Sequence, residues 1–161
     1  MDIFEAARQN NLEALEQELE TLHPDVVDAR GSTPLIIAGY YNHPEAVRLL
    51  LEAQANPDAQ DAMGNTPLMG ACFKGYTEIA QLLLEFGAAV DTTNGNGATA
   101  LTFAATFNHK ALVELLLQHG ADPLLKDRFG KNPIDYAMVQ ENAESYEILV
   151  AALHAQKSSN S

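Results

Sequence analysis

Four stretches of this chain repeat one pattern at a fixed interval: Gly31-Ser-Thr-Pro-Leu35, Gly64-Asn-Thr-Pro-Leu68, Gly97-Ala-Thr-Ala-Leu101 and Gly130-Lys-Asn-Pro-Ile134, each 33 residues after the last. Two further markers keep the same step. One is the apolar run Leu49 to Leu51, Leu82 to Leu84, Leu115 to Leu117 and Ile148 to Val150; the other is Ala38, Ala71, Ala104 and Ala137. A period of this length means a stacked array in which each unit buries its apolar surface against its neighbours, so the chain is read as a solenoid.

Within a unit the local chemistry predicts two helices. Thr33 and Thr66 offer hydroxyls to the free amides of a helix start, and Pro34 and Pro67 follow at the first helical position, where a missing N–H costs nothing. Asn42, Gly75 and Asn108 tolerate a left-handed backbone and end that helix near Tyr41, Lys74 and Phe107. Pro44 or Thr77 then opens a second helix that ends near Gln54, Gly87 and Gly120. Three consecutive leucines sweep roughly 200° of a helical wheel, which requires neighbours on both sides. Leu12, Leu15, Leu19 and Leu22 instead form one stripe, with Glu13, Glu16, Gln17, Glu18 and Glu20 around it, as in an N-terminal cap. Its seam is one residue short, because Ala6-Ala7 pairs with Ala38-Gly39 at a spacing of 32.

Gly64-Asn-Thr-Pro-Leu-Met-Gly-Ala71, the Leu82 to Leu84 run and Phe86-Gly-Ala-Ala-Val-Asp91 together resemble the ankyrin repeat family. The resemblance implies an all-α solenoid of stacked helix-turn-helix units joined by β-turn fingers. It divides a single domain, residues 1–157, into a cap at 1–28, repeats at 29–61, 62–94 and 95–127, a C-terminal repeat at 128–157, and a frayed tail at 158–161. The family's Thr-Pro-Leu-His histidine is replaced here by Ile36, Met69, Thr102 and Asp135, so a histidine ladder at that position is absent. The last helix keeps Ile148, Leu149, Val150 and Leu153 without a clearly charged outer face. A monomer is expected, with that end as the place for weak self-association.

Composition narrows the partners. Lys plus Arg number 9 against 22 Asp plus Glu, a formal charge of -13, which repels phosphate backbones and anionic membranes, so neither nucleic acid nor membrane is expected as a partner. The single cysteine, Cys72, allows no internal disulfide, and the opening Met-Asp-Ile-Phe-Glu-Ala-Ala-Arg has neither a basic leader nor a signal-length apolar core; a cytoplasmic protein is the expectation. No catalytic constellation emerges, and no cofactor or metal is expected. His43 and His109 share one repeat position and are read as polar residues opening the second helix, Cys72 as a packed thiol, and Asn94-Gly-Asn-Gly97 as a turn rather than a phosphate loop.

The expected function is therefore non-enzymatic protein binding on the concave side, built from fingers and first helices. The candidate partner-binding residues are Tyr40, Tyr41, Phe73, Lys74 and Phe107 on first helices, with Arg30, Met63, Phe129 and Lys131 on fingers. Aromatic residues and arginine dominate interface hot spots. The competing reading of any one ring is ordinary packing between first helices. Two other functions stay open: an acidic inhibitor or immunity-type protein neutralising a basic toxin or enzyme, and, more remotely, an enzyme or small-molecule-binding protein.

Overall fold

The structure, a computed structural model, describes residues 1–159, with side chains through residue 156. Ten helices form five antiparallel pairs: α1 (Ile3–Gln9) with α2 (Leu12–Leu19), α3 (Pro34–Tyr40) with α4 (Pro44–Glu52), α5 (Pro67–Lys74) with α6 (Thr77–Glu85), α7 (Ala100–Thr106) with α8 (Lys110–Gln118), and α9 (Pro133–Val139) with α10 (Ala143–Ser159). The pairs stack in chain order, and among the described residues there is no strand. Of the tail expected at 158–161, helix α10 includes the first two residues, and 160–161 lie outside the described residues.

Each first helix begins on a side-chain cap. Thr33, Thr66 and Thr99 accept from the backbone N–H three residues on, at 3.2, 3.3 and 3.3 Å, and Asn132 does the same for Asp135 at 2.9 Å. Where Thr102 and Asp135 stand, the bond is returned: Thr102 Oγ1 accepts from Thr99 N at 3.0 Å and Asp135 Oδ2 from Asn132 N at 2.9 Å, a reciprocal capping box. The helices stop on left-handed residues, Asn42, Gly75 and Asn108 after the first helices and Gln54, Gly87 and Gly120 after the second.

First helices form one layer and second helices the other. Small residues let the first helices approach closely: Ala6, Ala7, Ala38, Gly39, Ala71, Cys72, Ala104 and Ala105 are all buried between them. Leu82, Leu83 and Leu84 are all buried, as a helix flanked on both sides requires, whereas α2 fully buries only Leu15. The cap stripe is shorter than expected, since Leu22 lies beyond the end of α2 and is exposed.

Three ladders of hydrogen bonds join successive units. In the first, His43 Nε2 lies 2.8 Å from the carbonyl oxygen of Arg8 and His109 Nε2 lies 3.4 Å from that of Phe73. Asn142, at the same repeat position, donates from Nδ2 to Ala105 O at 3.0 Å and Thr106 O at 2.8 Å. These side chains thus do more than open the second helix; they satisfy terminal carbonyls of the preceding first helix, which have no intrahelical donor. In the second ladder, Asp25, Asp58 and Asp91 accept from the backbone N–H of Asn56, Ala89 and Asp122 at 2.9, 2.8 and 3.1 Å. The third runs along the fingers, where Gly95 N donates to Met63 O at 3.0 Å and Arg128 N to Asn96 O at 2.8 Å. Gly64 belongs to that row for two reasons: its φ is +83°, and a Cβ there would lie 2.8 Å from Gly95 N.

Candidate functional site

The fingers are built alike. Asp28, Asp61, Asn94 and Asp127 each turn one Oδ1 onto two backbone N–H groups, those two and four residues ahead, at 2.9 to 3.1 Å. This fixes every finger in one shape and points its tip residues outward. Met63 and Phe129 stand at such tips, exposed, with the Arg128 guanidinium 5.3 Å from the Phe129 ring centroid. Lys131 leans back over Tyr136 of its own unit, its Nζ 5.8 Å from the ring centroid.

The first helices bring the other candidates together. Tyr40, Tyr41, Phe73 and Phe107 are 45% to 48% exposed, so each ring has one packed and one open side. Their contacts run diagonally from one unit to the next. Arg8 lies 6.0 Å from the Tyr41 ring centroid, Lys74 Nζ lies 4.6 Å from that of Tyr40, and Phe73 meets Phe107 edge to face at 5.0 Å. Tyr40 and Tyr41 are also edge to face, at 5.4 Å.

Two adjoining clefts open along this row. The larger, about 730 Å3, lies between the cap and the first two fingers and is lined by Arg8, Asp28, Arg30, Tyr40, Tyr41 and Asp61 among others. The smaller, about 270 Å3, continues from it past Ile36, Tyr40 and Asp61 to Met69, Gly70, Phe73 and Phe103. Of the residues singled out from the sequence, Arg30, Tyr40, Tyr41 and Phe73 line these clefts; Lys74 and Phe107 contact their walls, while Met63, Phe129 and Lys131 lie apart on the fingers. Sequence reasoning missed Ile36, Gly70 and Phe103. Ile36 stands out only as the residue at the place of the family's histidine, Phe103 does not stand out, and a glycine inside a helical segment carries no mark of the space it leaves.

Cys72 and the two ladder histidines are already engaged by the fold. Cys72 is fully buried, and burial pushes its thiol well above the ordinary cysteine range, so it is neither a thiolate nor accessible. The His43 and His109 rings sit on backbone carbonyls. Among the described residues no three His, Cys, Asp or Glu side chains converge as metal ligands, and no helix is long and apolar enough to cross a membrane.

Burial raises the Asp127 carboxyl, but the Tyr136 hydroxyl bonded to its Oδ2, the backbone N–H groups of Lys131 and Phe129 and the Lys131 charge outweigh it, leaving its pKa below the usual carboxylate value. Burial, the hydrogen bond to Asp127 and that carboxylate's charge push the Tyr136 phenol up to about 12.

A family model of ankyrin repeats in three copies matches residues 3–94, and a second, of ankyrin repeats in many copies, matches residues 83–137. No curated protein matches the chain. The capped helix pairs, the finger turns and the two matches converge: the chain belongs to the ankyrin repeat family, whose repeats are generally modules for protein–protein interaction.

Proposed function

We propose that this chain is a non-enzymatic protein-binding module that holds its partner on the concave face, along the row from Arg8 to Phe107. The observation that carries the reading is the set of half-open rings. Tyr40 and Tyr41 form one pair of rings and Phe73 and Phe107 another, beside two clefts, with Arg8, Arg30 and Lys74 among them. An exposed aromatic row of this kind, rimmed by arginine and lysine, has the composition of an interface core. Three of the chain's 9 Lys and Arg residues gather there although its formal charge is -13, so recognition in the groove differs from neutralisation of a basic surface by bulk acidity. The partner acts as an occluded or tethered ligand, without covalent change.

The test is capture from an extract of the protein's own cells, with the wild type and the Tyr41→Ala/Phe107→Ala double variant compared at equal helical content. Loss of the captured partner in the double variant, by tenfold or more in affinity from about 2 kcal/mol per anchor, is the expected result. Equal capture by both proteins overturns the concave-face reading.

A further inference from the structure

The fourth unit contains an aromatic side chain seated on its finger. The Tyr136 ring lies under Lys131, and its hydroxyl donates to Asp127 Oδ2, while Asp127 Oδ1 holds the finger turn. Stepping back by the 33-residue period twice, Tyr136 becomes Gly70 and Asp127 becomes Asp61. Asp61 Oδ1 holds the same turn, through Met63 N and Asn65 N at 2.9 Å each, and among the described residues no donor sits on its Oδ2. The fourth unit therefore displays, within one chain, the filled form of a site that the second unit leaves open.

Gly70 is not required by the fold. It lies inside helix α5 without a left-handed φ, and a Cβ there would meet nothing within 4 Å. A glycine inside a helix is less stable than alanine, so its presence has no local benefit. What it leaves is the cleft of about 270 Å3, walled by Ile36, Tyr40, Met69, Phe73 and Phe103, with Asp61 at its edge. Ligand clefts run from about 300 to 1,000 Å3, so this one suits a single side chain. Phe73 and Phe103 already stand edge to face, 6.2 Å between centroids, an arrangement that a third ring extends.

We propose that this cleft is a selectivity pocket for a tyrosine side chain of the bound partner, its ring between Met69, Phe73 and Phe103 and its hydroxyl donating to Asp61 Oδ2. The proposal rests on the concave-face reading and names the chemistry that the face selects. The Lys74 ammonium over Tyr40, one wall of the pocket, makes a lysine or arginine occupant less favourable than a neutral phenol.

The probes are p-cresol, toluene and n-butylammonium, which carry the side-chain chemistry of tyrosine, phenylalanine and lysine, titrated into the full chain while the Gly70 amide and Met69 methyl are followed by NMR. The expected result is saturable binding of p-cresol at those two reporters and about tenfold weaker binding of toluene, the loss set by one hydrogen bond to a carboxylate. Asp61→Asn should abolish the preference for p-cresol over toluene by removing the charge; Asn94 makes the same turn in the third finger, so the fold tolerates the change. Gly70→Leu should remove p-cresol binding, and if that variant does not fold, Gly70→Ala, whose methyl enters open space, should weaken it severalfold.

Absence of p-cresol binding, equal binding of toluene, tighter binding of n-butylammonium, or binding that survives filling of the pocket each overturns the proposal. Failure here alongside loss of partner capture in Tyr41→Ala/Phe107→Ala removes the pocket and leaves the concave face standing. Binding here with capture unaffected in that double variant removes the concave face instead.

Discussion

Phe73 in the second repeat and Phe107 in the third meet edge to face, 5.0 Å between centroids with planes 86° apart, while both rings stay nearly half exposed. The contact joins one position of a unit to the following position of the next, the same diagonal that sets Lys74 over Tyr40. A ring in this row thus packs against the stack and faces outward at once. A double-mutant cycle of Phe73→Ala and Phe107→Ala in urea unfolding should show a coupling of about 0.5 to 1.5 kcal/mol. Additive losses would show that the rings are neighbours without mutual stabilisation.

Leu83→Ala and Leu15→Ala both remove a fully buried leucine, but their effects should travel differently. Helix α6 has α4 on one side and α8 on the other, so Leu83→Ala should cost about 2 to 5 kcal/mol and lower hydrogen-exchange protection in the repeats on both sides. Among the described residues helix α2 packs on α1 and on one second helix, α4, rather than two, so Leu15→Ala should cost less and deprotect mainly residues 1–28. Equal cost and equal spread would remove the distinction between cap and interior.

The Tyr136–Asp127 pair should give stability a pH signature in two windows. Asp127 has a lowered pKa in the fold, so its contribution is present above the ordinary carboxylate value of about 4 and is lost as pH falls through the folded pKa. Tyr136 has a raised pKa, so its contribution is complete below the ordinary phenol value of about 10 and is lost as pH rises through about 12. The stability difference between wild type and Tyr136→Phe should be largest between these windows and shrink in both. A difference that stays constant across the whole range would show that the bond does not couple to titration.

Asn142→Ala should strip the donor from two carbonyls at the end of α7, at a cost of about 1 to 3 kcal/mol, with hydrogen exchange rising in α9 and α10 before the rest of the array. Asn142→His should recover part of that loss, because His43 and His109 perform the same task in the first and third repeats. Thermal unfolding of the two variants side by side decides it.

The repeats, their caps and their left-handed stops were legible because each depends on residues close in sequence: Thr33 needs only Ile36, and Asn42 only its own backbone. The ladders were not. That His43 reaches Arg8 O, or Asp58 reaches Ala89 N, depends on how far one unit rotates against the next, which no residue type declares. The candidate face was legible as a set of positions in register, so Tyr40, Tyr41, Phe73 and Phe107 could be singled out. Its clefts were not, because they depend on what Gly70 lacks and on where Phe103 of the following unit leans. Lys131 was legible by register as a cation on a finger; that its ammonium lies over Tyr136 of its own repeat was not.

The hydrogen bonds of the three ladders join residues 31 to 37 apart, about one repeat, from Asp25 with Asn56 to Asn142 with Ala105. Such a separation matters while the chain is being made. A polypeptide leaving the ribosome need extend only one unit further before the previous unit has its full set of partners, and no bond of these ladders waits for a distant terminus. Loop-closure entropy is then met in small equal steps, contact order stays low, and the array should fold progressively from its first repeats toward its last during synthesis.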